Sequence, residues 1–188
     1  MSMLTLRYLF LAKQAINYVN NTVGVISPNQ LPTQTQEQQD ERRRCNIELS
    51  RMRNSIQERL EPMLGNSNTL SDSFYRKYFL LSNFDTVTSH LGNCGEKTIL
   101  AFSYLKMRGA RPLELFDIDI DNKGEDAHSI LVIGRVAGND LFPNTWNRES
   151  VVCDPWNNQC YPSSLYDSKT PFTGRLILNY RYGNNIPR

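Results

Sequence analysis

The sequence has little of what usually announces chemistry. Its 188 residues hold two histidines, four cysteines and two tryptophans. Cysteines at 45, 94, 153 and 160 are too few and too unevenly placed for a disulfide scaffold, which points to a reducing compartment. Cys153 reads as a buried strand residue and Cys160 as a loop thiol, although the two could pair. The set Cys94, His128, Cys153 and Cys160 contains no close pair of the C-x₂₋₄-C kind, so neither zinc nor another metal is expected. Gly92 to Gly95 lacks the lysine and the length of a phosphate loop, and no cofactor is expected. Charge of one sign is also lacking: 21 basic residues against 19 acidic leave no strong field for nucleic acid. No uncharged run is long enough to cross a bilayer. Met1 to Val23 carries Arg7 and Lys13 and no small-residue cleavage site, so it is not a secretory signal peptide. The expected location is the cytoplasm, or a destination reached by a signal-peptide-independent route.

What is present is the composition of a globular chain, 39% hydrophobic and 21% charged. The first half reads as helical. Leu4 to Asn20 places Leu6, Leu9, Phe10, Ile16 and Val19 at helical spacing. Ser27 to Gln39, rich in Pro, Gln, Asn and Thr, is a connector. Glu37 to Leu60 follows as a long helix with Ile47, Met52, Ile56 and Leu60 on its buried face, and Arg42 to Arg44 as part of a wet face with local ion pairs. After a turn at Pro62 to Asn68, Ser71 or Asp72 caps a third helix through Leu81, and Asp85 to Ser89 is a polar bend. The second half changes period. Strands are predicted over Leu113–Ile120, Ala127–Val136, Ser150–Cys153 and Arg175–Tyr182, with Leu176, Leu178, Tyr180 and Tyr182 of the last on one face. The fold class is therefore α+β, one compact domain with a helical part over 1–84 packed on a core over 85–188.

The stretch Leu91-Gly92-Asn93-Cys94-Gly95-Glu96 organises the rest. Asn93 and Glu96 form a capping box, Ile99, Leu100, Ala101, Phe102 and Leu105 give an apolar face, and Gly109 stops the helix. Cys94 then sits at the positive end of the helix dipole, which favours the thiolate. Further on, His128 stands at a strand start and Asp154 at the end of the next strand. Cysteine at a helix start, histidine, then aspartate is the order of a thiol triad: His128 takes the proton of Cys94, and Asp154 holds the other ring nitrogen. An antiparallel strand pair packed on the helix brings them together if His128 and Asp154 neighbour each other on the helix-facing side. The backbone N–H of Cys94 supplies one oxyanion donor, with Asn93, Thr88 and His90 as candidates for the second. His90 and Trp156 are expected to line the cleft.

Gly92-Asn93-Cys94-Gly95-Glu96, the Asp126-Ala127-His128 strand start and Val151-Val152-Cys153-Asp154-Pro155-Trp156 resemble the transglutaminase-like core of the papain-like cysteine hydrolase superfamily, over residues 90 to 156. The small size and helical first half look like bacterial effectors delivered into host cells. The chain departs from both patterns: glycine, not an aromatic, follows Cys94; Asp154 stands where papain has asparagine; Ile130 stands where transglutaminases favour tryptophan. The resemblance implies a papain-like fold, an antiparallel sheet on the helix that begins at Cys94, and a protein substrate, a host protein for an effector. It implies acyl transfer through a thioester, ending in glutamine deamidation, cross-linking or proteolysis. From a different class, an inactive scaffold of this kind would bind a regulatory protein partner through its helical half, with Trp146, Trp156 and the late tyrosines at the interface.

Overall fold

The computed structural model describes residues 1–64 and 71–183. Helix α1 (Met3–Asn17) starts where the Ser2 hydroxyl accepts from the Thr5 N–H at 3.1 Å. Its buried face is the expected one only in part, at Ile16, with Leu9 half-buried. Tyr8, Leu11, Ala12, Ala15 and Ile16 point inward, while Leu6 and Phe10 stay in solvent. The first turns are apolar nearly all round, so spacing alone allows two stripes. The fully covered Ala12 and Ala15 let the helix approach the sheet closely, which selects the inner one.

A connector leads to α2 (Gln36–Leu60), which opens on a Thr35/Gln38 capping box. It is a mostly wet helix that buries Leu49, Ile56 and Leu60, while Ile47 is exposed and Met52 half-buried. Arg42 to Arg44 make no ion pair among the described residues. Most of the expected turn at 62–68 lies outside the described residues. Helix α3 (Asp72–Ser89), capped by Ser71, continues through the predicted polar bend because Thr86 faces the interior with no exposed surface. It stops at His90, whose φ of 59° is left-handed. Helix α4 (Cys94–Met107) follows the sequence reading and buries Ile99, Leu100, Ala101, Phe102 and Leu105.

Five antiparallel strands come next: β1 (Leu113–Asp119), β2 (Ala127–Ile133), β3 (Val151–Asp154), β4 (Gln159–Pro162) and β5 (Arg175–Tyr182), in the order β4-β3-β2-β1-β5. The central place of β2 agrees with its continuous apolar run, and β5 is an edge. Strand β2 ends at Ile133 rather than Val136. Gly134 turns the chain there at φ +77°, and a Cβ on it would meet the Tyr8 ring at 2.1 Å. Strand β4 and the short helix α5 (Tyr166–Lys169) are not foreseen. As a result Cys160 is a strand residue directly opposite Cys153, and both thiols are free.

The sheet has a core on each face. On one side Leu113, Leu115, Leu131, Ile133 and Cys153 pack with α1 and α4; on the other Phe116, Ile118, Ile130, Val132 and Val152 pack with Trp146, Tyr161 and Tyr166. Strand β5 does not keep one face. A bulge between Leu115 and Phe116 of β1 shifts its register, so Leu176 and Leu178 join the second core while Tyr180 and Tyr182 join the first. A third cluster, Ile56, Leu60, Phe74 and Leu81, joins α2 to α3. Residues 84 and 85 fall inside α3, and α1 shares a core with α4, so the helical part and the sheet are one packed body.

Candidate active site

The N-terminus of α4 is fixed from three sides. The Glu96 carboxylate accepts from the Asn93 N–H at 3.0 Å and completes the capping box. It also takes a forked pair of bonds from Arg53 on α2, Nε to Oε1 at 2.8 Å and Nη2 to Oε2 at 2.9 Å. Gly92 is needed beside it, since a Cβ there would fall 2.6 Å from that of Glu96. Facing this turn is the segment after α1. Ile26 bridges to Leu91, the Ser27 hydroxyl donates to the Gly92 carbonyl at 3.0 Å, and the Asn29 N–H donates to Asn93 Oδ1 at 3.3 Å. Cys94 is thus the first residue of a pinned helix, its N–H outside the intrahelical ladder.

His128 and Asp154 converge on it. The register pairs Leu131 with Cys153, which sets Asp154 across from Ile130 and diagonal to His128 on one face. That face is not the one expected. Ile130 and Val132 belong to the core away from α4, so the pair lies on the sheet side opposite the helix and meets Cys94 at the end of β2, where the Cys94 Sγ is 3.8 Å from the Ala127 carbonyl. His128 Nε2 is 2.8 Å from Asp154 Oδ2, with both side chains almost wholly covered. The second carboxylate oxygen accepts from the Asn157 N–H at 3.1 Å. Nε2 being taken, Nδ1 is the nitrogen left for the thiol. Burial opposes the imidazolium, but hydrogen bonds to Asp154 and Cys94, together with the charge of both, outweigh it and raise the His128 pKa from 6.5 to about 9.

Aromatic rings hold the imidazole. Trp156 meets it edge-on with centroids 5.3 Å apart, and Phe172 lies against it at 4.3 Å. The Trp156 indole donates to Asn29 Oδ1 at 3.0 Å, and Gln30 Nε2 donates to the Trp156 carbonyl at 3.0 Å. Behind, Asn20 donates to the Pro155 carbonyl at 2.8 Å and accepts from Lys97 at 2.9 Å. Asn29, Gln30 and Phe172 are absent from the sequence reading. They sit in connectors, where only folding shows what they touch.

Of the predicted residues, Cys94, His128 and Asp154 are brought together, with Asn93 and Trp156 beside them. His90 turns its Nδ1 to the Val23 carbonyl at 2.7 Å, and Thr88 is exposed on the last turn of α3. Neither bonds to the three among the described residues. Also among them, no cluster of three His, Cys, Asp or Glu residues is set to hold a metal, and no helix is long and apolar enough to cross a membrane. Chemically, the arrangement can deprotonate a sulfur, keep the resulting imidazolium, and return its proton to a leaving group. No family model, curated protein or solved structure matches the chain.

Proposed function

We propose that this protein is a cysteine-dependent acyl-transfer enzyme that acts on a carboxamide of a protein, on a scaffold of the transglutaminase-like and papain-like kind. The observation that carries the reading is His128, bonded through one nitrogen to buried Asp154 and sharing its other side with Cys94 at a helix start. An antiparallel sheet laid against the helix that begins at the cysteine supports the same scaffold.

In the proposed reaction the Cys94 thiolate attacks the carboxamide carbon. The C–N bond breaks as the His128 imidazolium gives its proton to the departing amine, leaving a thioester on Cys94. Water, deprotonated by His128, then attacks the thioester; the thiolate leaves and a carboxylate is formed. If a second amine attacks instead, a new amide results. The Cys94 N–H faces the developing oxyanion, and Asn93 or Asn29 supplies a second donor. Deamidation and cross-linking are favoured over proteolysis because the order of motifs is the transglutaminase-like one. The resemblance to effectors favours a host protein as acyl donor, met in the host cytosol.

Incubation with candidate proteins and peptide mass analysis tests this. A gain of about one mass unit at glutamine means deamidation, a joined peptide cross-linking, and a new terminus cleavage. Cys94→Ala is expected to abolish every such product with the fold intact. His128→Gln is expected to lower turnover by about 10²–10⁴-fold, and Asp154→Asn to leave partial activity. Turnover at the wild-type level in Cys94→Ala overturns the assignment.

A further inference from the structure

The nucleophile has a cavity attached to it. A space of about 430 Å³ opens between α2, α3 and the start of α4, and Cys94, Gly95 and Ser129 form its floor. Its walls are Ile56 and Leu60 from α2, Phe74 and Tyr78 from α3, and Leu64. The volume lies within the range of sites that enclose a small organic group. Little charge is left in it. The Arg53 guanidinium at its edge is neutralised by the forked contact with Glu96. Tyr78 stays a neutral phenol, since burial first and the Glu96 charge next push its pKa up to about 12. Phe74 and Tyr78 pack on each other with ring centroids 6.3 Å apart and planes tilted at 38°, and both rings border the cavity as an aromatic wall. Gly95 matters here: its ideal Cβ position is 3.9 Å from the Ser129 hydroxyl with nothing nearer, so the missing side chain keeps the floor open beside the sulfur.

We propose that this cavity is the specificity pocket of the Cys94 site and that it receives the aromatic or bulky aliphatic side chain adjoining the reactive carboxamide of a polypeptide substrate. The inference rests on Cys94 being the acyl acceptor, because only then must the occupant be joined to the group that the sulfur attacks. Cys94 in the cavity lining sets where the occupant is attached, the neutral walls set its polarity, and the aromatic wall favours an aromatic over a straight chain. Each methylene withdrawn from water strengthens binding by about fourfold, so a well-filled pocket shifts the rate at Cys94 by at least tenfold.

Alkylation of the whole protein tests it without a known substrate. Iodoacetamide, N-phenethyl-iodoacetamide and N-dodecyl-iodoacetamide are compared at Cys94, with half-buried Cys45 as the internal reference. The expected result is a phenethyl-to-parent rate ratio at Cys94 at least about tenfold above that at Cys45. Gln57→Trp, at an exposed position on the pocket wall, and Ile56→Phe, inside it, are expected to abolish that excess while leaving the iodoacetamide rate unchanged. Fast labelling of Cys94 by iodoacetamide with no phenethyl excess, or an excess that survives both fillings, overturns the pocket and leaves the proposed function standing. A dodecyl rate above the phenethyl rate overturns the polypeptide occupant in favour of a fatty acyl chain. Cys94 labelling no faster than Cys45 with every reagent removes the acyl-acceptor reading, and the pocket assignment falls with it.

Discussion

His128 carries a charge that its surroundings hold in place. Its pKa of about 9 lies above the ordinary 6.5, despite burial, because Asp154 and Cys94 both face the ring. A group raised in the folded state stabilises the fold fully below its unfolded pKa, and that contribution fades as pH rises through the folded one. The wild-type advantage over Asp154→Asn is therefore expected to be level just below pH 6.5 and to vanish above about 9, amounting to no more than about 3 kcal/mol. Urea denaturation across that range checks it. In the proposed reaction the same imidazolium protonates the leaving amine, so turnover is expected to fall on the alkaline side near pH 9. With only two histidines in the chain, a ring-proton NMR titration separates His128 from His90 directly, and Cys94→Ala is expected to move the His128 midpoint down. The scarcity of histidine made His128 legible as a candidate site residue. Asn29 and Phe172, which steady its neighbours, are ordinary loop residues in the sequence.

Helix α4 shows how one carboxylate joins two jobs at the level of elements. Glu96 caps its own helix and anchors α2 through Arg53, so the turn that presents Cys94 and the helix that walls the pocket share a single fastening. Arg53 is half exposed, which screens the ion pair and weakens its share. Glu96→Gln keeps the shape but removes the charge from both contacts. It is expected to destabilise the protein by about 1–2 kcal/mol in thermal melts. The capping box was readable because it is local: four consecutive residues determine it. The Arg53 contact spans 43 positions, and the helix faces of α1 and α2 depend equally on distant partners, which is why Leu6, Phe10 and Ile47 read as buried and are not. Period tells that a helix has an apolar side; its packing partner decides which side that is.

Across the whole molecule, one buried charge cluster ties the sheet together. Glu114 has no exposed surface, accepts from Arg135 at 2.6 Å to each oxygen, and accepts from Arg181 of β5 at 2.9 Å. Arg135 also bonds to Asp140 at 2.6 Å and lies over the rings of Phe116 and Trp146. Alternation within β1 reads as half-buried, and nothing local foretells that the loop after β2 and the edge strand both bring cations to the same carboxylate. Glu114→Gln would leave buried Arg135 with only the half-exposed Asp140 as counter-charge. The expected loss is about 3–5 kcal/mol in urea denaturation, against about 0.5 kcal/mol or less for Glu125→Gln on the exposed turn.

By itself the sequence determined the α+β class, the central apolar strand β2, the helix that begins at Cys94, and the order in which sulfur, imidazole and carboxylate follow one another. All of these are local or periodic properties, readable from caps, turns and runs of a few residues. Only the tertiary structure decided that His128 and Asp154 lie on the sheet face away from α4 and reach Cys94 around the end of β2. It also decided that a bulge divides the faces of β5, and that α2 and α3 enclose a cavity beside the sulfur. Strand pairing and helix packing set these, and they join residues far apart in the chain, whose meeting no short stretch of sequence encodes.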